Sequence, residues 1–269
     1  MRVIDVHAHI FPDKIADRAT AATADYFNLT EPLYYHGSVG ELTADLQRGH
    51  IDYAMVFSAA TKPHQVESIN RFIFSEAAKH PQFIPCGTLH AAYENFVEEL
   101  RWLREHGIHG IKLHPEMQRF YLDDPRLFPM FEEMAAHDMF LIAHMGDPRV
   151  RFSGPERMIP IAEAFPTLRL IAAHLGDWGE WEVERIRPLA QYSNVYADIS
   201  SSFSERPGDP SLFACMEAYD PTHLFFGSDY PFWSPAEEVE KTRRLGFSED
   251  LLEDILFRNF ARFYHYKKL

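Results

Sequence analysis

The sequence predicts one α/β domain folded as a (β/α)8 barrel, a TIM barrel, in which eight parallel strands form a ring and helices surround it. Two observations lead to this class. Short apolar runs alternate with stretches of helical periodicity, which indicates parallel strands joined by crossover helices. The length of 269 residues is close to the roughly 250 residues typical of one such barrel. We therefore expect a single domain over residues 1–269.

Eight apolar runs are predicted as strands, and helical patterns separate them. The runs are Val3–His7, Tyr53–Ser58, Phe83–Thr88, Gly110–His114, Phe140–His144, Leu168–His174, Val195–Ile199 and His223–Ser228. The clearest helical patterns cover Ala91–His106, Leu127–His137 and Gly179–Gln191. An open doubly wound sheet is the alternative, but no glycine-rich phosphate turn follows the first run. The pattern therefore favours the closed barrel.

A long segment, residues 11–44, separates the first strand from the next barrel helix. It contains the aromatic residues Tyr26, Phe27, Tyr34, Tyr35 and His36. Long loops at the carboxyl ends of barrel strands usually form or cover the active site. We expect a cap or lid here, whose rings either pack on one another or contact the substrate. Trp178 and Trp181, after the sixth strand, are further candidates for a pocket wall.

Composition excludes several classes of function. The net charge of −14, without a Lys/Arg cluster, argues against a nucleic-acid surface. Neither a transmembrane stretch nor a signal peptide is recognised, so no membrane association is expected. Cys86 lies in an apolar run and is expected to be a core thiol rather than half of a disulfide with Cys215. These features fit a cytoplasmic protein that acts on a small molecule, and they leave a homodimer open.

The first strand carries a His-x-His pair that indicates a metal site. Side chains alternate along a strand, so Asp5, His7 and His9 should share a face. His144, His174 and Asp229 follow later strands, and in a barrel all these ends converge on one mouth. Imidazoles with one carboxylate suit zinc, with manganese or iron(II) as competitors. Asp5 is expected to orient a ligand histidine or Lys112 from behind.

Strand 4 points a lysine into the barrel. Gly110, Lys112 and His114 share a face by alternation, and an inward ammonium group is costly unless its charge is paired or removed. Lys112 therefore either pairs with Asp5 or Asp229 or is carbamylated by carbon dioxide and bridges two metals. The ion pair is the favoured alternative.

Together these motifs resemble the amidohydrolase superfamily, and specifically its amidohydrolase-related (amidohydrolase 2) branch of metal-dependent barrels. The resemblance runs nearly end to end through Asp5–His9, Gly110–Pro115, Ile142–His144, Ala173–Gly176, Gly227–Pro231 and Ile255–Arg262. It implies that His7, His9, His144 and Asp229 bind a first metal. It also implies that His174 completes a second metal site or acts as a free catalytic histidine. Zn²⁺ is the expected metal, with one ion, or two if Lys112 is carbamylated.

Two groups of relatives suggest different reactions. Ser228–Phe232 resembles aminocarboxymuconate-semialdehyde decarboxylase and its relatives, which use one metal. Lys112–Pro115 looks more like dihydroorotase, where the lysine is carbamylated and bridges two metals, although His114 replaces a tyrosine here. The resemblance is therefore specific for the superfamily and not for the substrate.

The leading hypothesis is hydrolysis of an amide, lactone or ester of a small molecule. Asp229 would accept a proton from an activated water, and His174 or Lys112 would stabilise the oxyanion. Lys112 and His114 are expected to face the substrate.

The runner-up is non-oxidative decarboxylation of a small unsaturated or aromatic acid, which needs a cation for the substrate. Arg149 and Arg151 are candidates for that cation, or else loop charges that pair with Asp147 or Glu156. A barrel that binds a ligand without chemistry is the third hypothesis, and the complete ligand set argues against it.

Overall fold

The computed structural model describes residues 1–29, 33, 35–267 and 269, and the ring of eight parallel strands is confirmed. Each strand pairs in parallel with the next in chain order. The amide of Val6 donates to the carbonyl of Phe226 at 3.0 Å, which joins the first strand to the segment after the last. The strands are β1 (Ile4–His9), β2 (Tyr53–Phe57), β3 (Phe83–Thr88), β4 (Gly110–Leu113), β5 (Phe140–Ala143), β6 (Arg169–Ala172), β7 (Val195–Asp198) and β8 (Leu224–Phe225).

Helices of the described chain surround this ring. They are α1 (Asp13–Phe27), α2 (Val39–Arg48), α3 (Val66–Lys79), α4 (Phe96–Glu105), α5 (Pro115–Gln118), α6 (Phe128–Ala136), α7 (Pro155–Ala164), α8 (Val183–Ala190), α9 (Ser202–Glu205), α10 (Pro210–Ala218), α11 (Pro235–Arg243), α12 (Glu249–Glu253) and α13 (Asn259–Phe263). No helix in these ranges combines the length and apolarity that crossing a membrane requires.

The segment predicted as a cap, residues 11–44, contains helix α1 and the first part of helix α2. Helix α1 ends where Asn28 adopts the left-handed conformation, with φ of 54°. Helix α2 begins with a capping box, in which the Ser38 hydroxyl accepts from the Glu41 amide and the Glu41 carboxylate accepts from the Ser38 amide, both at 3.2 Å. Tyr34 lies outside the described residues. The action of this segment as a lid stays a prediction.

The strands separate two apolar layers. Inside the ring, β-strand side chains such as Ile84, Phe140 and Phe225 pack on one another, and α13 covers this cluster with Phe260 and Phe263. Outside it, a second and larger layer lies between strands and helices. Both cysteines are free and buried. Because these layers hold the barrel rigid, the loops at the carboxyl ends of the strands are placed on a fixed frame.

Several strands end earlier than predicted, and the difference falls on the candidate ligands. β4 ends at Leu113, β5 at Ala143 and β6 at Ala172, so the histidines at 114, 144 and 174 follow the strands rather than belong to them. The predicted runs extend beyond the hydrogen-bonded strands because the three histidines are buried in the site, although they lie beyond the last residue of each strand.

Candidate metal centre

The structure brings all the predicted metal ligands to one end of the barrel. His7 Nε2 lies 3.4 Å from Asp229 Oδ1, and His9 Nε2 lies 3.7 Å from the same oxygen. His174 Nε2 lies 3.0 Å from His144 Nδ1. The ring centroids of His7 and His174 are 4.8 Å apart, which joins the two groups into one cluster.

A bulge in β1 changes which residues share a face. Asp5 pairs with Ala54 and Ala8 pairs with Val56, so Val6 and His7 together oppose one residue of β2. The expectation that Asp5 shares the face of His7 and His9 is therefore wrong. The Asp5 carboxylate instead accepts hydrogen bonds from the amides of His7 at 3.0 Å and Ser228 at 2.9 Å. Asp5 thus holds the backbone of β1 and not an imidazole.

The carboxylate behind His7 belongs to Asp198, which the sequence analysis missed. His7 Nδ1 donates to Asp198 Oδ2 at 3.0 Å, and both side chains are fully buried. The Ser200 hydroxyl donates to the other oxygen, Asp198 Oδ1. Because Nδ1 carries the ring proton in this arrangement, Nε2 of His7 keeps a lone pair that faces the centre.

Backbone carbonyl groups orient the other two buried imidazoles. His174 Nδ1 donates to the Ser200 carbonyl at 3.1 Å, and His144 Nε2 donates to the Gly146 carbonyl at 3.0 Å. The remaining nitrogens, Nε2 of His174 and Nδ1 of His144, therefore face each other with lone pairs. Two acceptors at this distance need a proton or a cation between them.

These donors fit a divalent metal ion. Ligand atoms around a tetrahedral zinc lie about 3.4 Å apart, because its bonds to nitrogen are about 2.1 Å long, and the separations in the cluster scatter around that value. Burial lowers the pKa of all four imidazoles well below the ordinary 6.5, which keeps them neutral as metal ligands must be. Among the described residues His7, His174 and Asp229 bring their ligand atoms within 4.8 Å of one another, so these three would hold the ion. The other predicted ligands flank them, with His9 3.7 Å from Asp229 and His144 3.0 Å from His174.

Asp229 stands between the histidines and the open cavity. Its amide donates to the His7 carbonyl at 2.8 Å, and the Ser201 hydroxyl donates to Oδ2 at 2.6 Å, which leaves Oδ1 facing the imidazoles. Burial raises the pKa of Asp229 to about 8. The backbone is left-handed at His174, Ser201 and Asp229, with φ of 59°, 60° and 64°. Such strain concentrates at functional sites.

Lys112 is fully buried beneath the cluster. Its Nζ lies 3.1 Å from His7 Nε2 and 4.9 Å from the Phe57 ring centre. Among the described residues neither Asp5 nor Asp229 forms the ion pair expected from the sequence, because Asp5 turns away and Asp229 faces the imidazoles. Burial lowers the pKa of Lys112 to about 8. Its carbamylation stays a prediction.

His114 lies against the centre together with an acid that the sequence analysis did not single out. The His114 ring stacks on His144 at 4.1 Å between centroids, and its Nδ1 lies 3.5 Å from Glu116 Oε2. The Ser153 hydroxyl donates to Glu116 Oε1 at 2.5 Å. Burial raises the pKa of Glu116 to about 8. Glu116 directly follows the Lys112–Pro115 motif in the sequence, and this position could have identified it as a site residue.

A cavity of about 690 Å³ opens above the cluster. His9, His114, His144 and Asp229 form part of its wall, while α1 lies along one side. From the predicted cap, Phe27 contacts the site, with its ring 5.5 Å from His144 between centroids. Three other residues predicted for the cap bind elsewhere: Tyr26 packs on Phe27, Tyr35 donates to Asp45 and His36 pairs with Asp17. Trp178 lines the cavity, whereas Trp181 donates to the His174 carbonyl.

Arg149 and Arg151 are not brought to the cavity. Arg149 donates to both oxygens of Asp147, at 2.9 and 2.7 Å, and to the Tyr26 carbonyl at 2.6 Å. Arg151 lies 3.4 Å from Glu180. Neither is among the described residues that line the cavity. Their placement matches the alternative of paired loop charges.

The family comparison covers almost the whole chain. A family model described as "Amidohydrolase" matches residues 4–266.

Solved structures of similar fold cover the chain equally well. An uncharacterised TIM-barrel protein from Bordetella bronchiseptica has a TM-score of 0.80 at 19% identity, covering 97% of this chain and 98% of its own. A 5-carboxyvanillate decarboxylase from Novosphingobium aromaticivorans, complexed with manganese and 4-hydroxy-3-methoxy-5-nitrobenzoic acid, scores 0.74 at 18% identity, covering 97% and 95%. A putative 2-pyrone-4,6-dicarboxylic acid hydrolase from Pseudomonas putida scores 0.68 at 18% identity, covering 99% and 98%. At these identities the similarity establishes the fold.

Proposed function

Since the chain belongs to the amidohydrolase family and is an enzyme of that superfamily, we propose that it is a metal-dependent, non-oxidative decarboxylase of a small unsaturated or aromatic carboxylic acid. One observation carries the choice: Asp229 meets a cavity whose walls are mainly apolar, with Phe27, Trp178 and Phe232 among the lining residues. Loss of carbon dioxide disperses the charge of a carboxylate, so apolar surroundings favour the transition state over the bound acid. The 5-carboxyvanillate decarboxylase of the same fold supports this choice.

The reaction needs a proton at the carbon that carries the carboxylate. When that carbon is protonated, the bond to the carboxylate breaks, its electron pair returns to the unsaturated system, and carbon dioxide leaves. We assign the delivery of this proton to Asp229, because it lines the cavity and Ser201 fixes its Oδ2. A divalent cation, when bound by the imidazoles and Asp229, supplies a Lewis acid that orients the substrate.

Other residues of the chain prepare the site. Asp198 and the Ser200 carbonyl hold His7 and His174 in the tautomers that direct lone pairs at the centre. Phe27 and Trp178, with ring centroids 4.9 Å apart, give one side of the cavity an apolar surface. Apolar surroundings strengthen electrostatic interactions close to them.

Hydrolysis, which the sequence analysis ranked first, remains the second candidate. The Lys112–Pro115 segment resembles dihydroorotase, and a putative lactone hydrolase shares the fold. In that reaction Asp229 would accept the proton from water and later release it to the leaving group.

One experiment separates the two reactions. Protein loaded in turn with Mn²⁺ and Zn²⁺ is incubated without oxygen with 2,6-dihydroxybenzoate, 5-carboxyvanillate and 2-pyrone-4,6-dicarboxylate, and both carbon dioxide and released acid are measured. We expect carbon dioxide from an aromatic acid, and we expect its loss after chelation or in Asp229→Asn. Opening of the pyrone with release of acid, and no carbon dioxide from any substrate, would refute decarboxylation in favour of hydrolysis.

A further inference from the structure

One face of α1 forms a wall of the cavity. Lys14, Ile15, Arg18, Ala19, Ala22 and Thr23 all line it. Their spacing of three or four residues places them on one stripe of the helix. The neighbouring stripe of Ala16, Thr20 and Ala24 is buried against the rest of the protein. The orientation of α1 is therefore fixed by packing, and its lining stripe belongs to the cavity.

Two cations stand on this stripe, Lys14 and Arg18. Among the described residues no carboxylate forms an ion pair with either, and Asp17, between them in sequence, pairs with His36 at 3.0 Å. Lys14 lies in the first turn of α1, where the positive end of the helix dipole favours an acid. Helix stability therefore does not account for a lysine there. Lys14 and Arg18 are the two lysine or arginine side chains among the described lining residues, and the carboxylates of that lining, Glu205 and Asp229, lie on other segments.

Apolar side chains occupy much of the space around these cations and the metal centre. Ile69, Phe72 and Met117 join Phe27 and Trp178 in the lining. A volume of about 690 Å³ is ample for a flat ring system with substituents at both ends. The cavity thus contains two positions for negative charge, the metal centre and the α1 stripe, with apolar surface around them.

We propose that the cavity selects a flat, unsaturated dicarboxylate, whose first acidic group lies at the metal centre and whose second is held by Lys14 and Arg18. This inference rests on the proposed function, since it concerns the substrate of the same site. A guanidinium and an ammonium group together hold a carboxylate through charge-assisted hydrogen bonds. Lys14 and Arg18 are accordingly specificity residues, a role that the sequence analysis had given to Arg149 and Arg151.

Binding of matched acids tests the inference without turnover. Calorimetry on protein loaded in turn with Zn²⁺ and Mn²⁺ compares benzene-1,3-dicarboxylate with benzoate, and naphthalene-2,6-dicarboxylate with 2-naphthoate, so that two lengths are covered. We expect wild type to bind at least one dicarboxylate about tenfold more tightly than its monocarboxylate, which corresponds to about 1.4 kcal/mol. In Lys14→Gln/Arg18→Gln the ratio should fall to about one.

Arg101→Gln is the matched control, because Arg101 is an exposed arginine on α4 that is absent from the described lining. It should keep the wild-type ratio. Thermal unfolding of the double variant should match wild type, since both replaced side chains are exposed. A wild-type ratio near one at both lengths, or a ratio that the double variant retains, would overturn the inference.

The outcome is independent of the reaction test. If the double variant loses the preference for dicarboxylates but no substrate yields carbon dioxide, decarboxylation fails and the anion subsite stands. If carbon dioxide is released and the preference for dicarboxylates is missing, the subsite fails and the proposed function stands.

Discussion

Replacing Asp198 by asparagine should weaken metal binding without changing any metal ligand. The Asp198 Oδ1 accepts from the amides of His174 and Ser200, both at 3.1 Å, and an asparagine carbonyl oxygen can keep both bonds. The new amide NH₂ group would then face His7 Nδ1, where a carboxylate oxygen now accepts at 3.0 Å. Two donors cannot face each other, so the ring proton of His7 must move to Nε2. That shift removes the lone pair that faces Asp229.

The expected loss is 10- to 100-fold in metal affinity, the usual effect of removing the hydrogen-bond partner of a ligand histidine. It corresponds to about 1.4–2.7 kcal/mol. Competition with a chromophoric chelator measures the Zn²⁺ affinity of wild type, Asp198→Asn and the control Asp124→Asn. Asp124 pairs with Arg126 at the surface, 2.6 Å away, and its replacement should leave the affinity unchanged.

One result would refute the role of Asp198. If Asp198→Asn binds Zn²⁺ within about twofold of wild type while its fold is intact, then Asp198 does not set the tautomer of His7. Nitrogen NMR of the imidazole checks the same step directly, because the protonated ring nitrogen should change from Nδ1 in wild type to Nε2 in the variant.

Three further outcomes are expected. Metal-free protein should gain stability as the pH falls from 8 to 6.5, because the folded pKa of Asp229 and of Glu116 is raised to about 8 and the folded chain binds more protons in this range. The gain should end near pH 6.5, because the folded pKa of each of the four buried imidazoles is lowered and the unfolded chain then takes up protons in its turn. A free energy of unfolding that falls steadily from pH 8 to 6.5 in denaturant titrations would contradict this. Ser201→Ala should lower the free energy of unfolding by about 1 kcal/mol, since Asp229 loses a buried hydrogen bond, whereas Ser68→Ala on the surface of α3 should change it little. Gly146→Ala should lower the free energy of unfolding by about 3 kcal/mol or more, because the φ of Gly146 is +86° and a Cβ would lie 2.2 Å from the Trp178 amide. Calorimetry measures this loss. Gly40→Ala is the control, since a Cβ at that position meets nothing within 4 Å.

Much of the fold and the set of candidate ligands could be predicted from local patterns. Alternating apolar runs and helical stretches led to the barrel, which the structure confirms, and the motifs led to the family, which the family model confirms. His7, His144 and His174 converge as expected because parallel barrel strands place their carboxyl ends together. The local pattern of apolar residues indicates where each buried strand ends. In a parallel barrel all strands end at the same mouth, so this pattern is sufficient to locate it.

The partners of those ligands could not be predicted. Asp198 is 191 residues from His7, and Lys112 is 105 residues from it. Which side chains meet across such separations depends on the bulge in β1 and on the register of the whole ring, and neither leaves a local pattern. Strict alternation of side chains along β1 predicted Asp5 on the face of His7, and this was wrong because the bulge interrupts the alternation.

By itself, then, the sequence determined the ring of strands and the residue types at its mouth, because burial and hydrogen bonding of the backbone act over a few residues. Only the tertiary structure decided that Asp198 orients His7, that Arg149 donates to the carbonyl of Tyr26, and that Lys14 and Arg18 face the cavity. These contacts depend on how α1 and the loops pack across the barrel end. Each of these contacts joins segments that lie far apart in the sequence, and the sequence pattern of either segment does not indicate which other segment it meets.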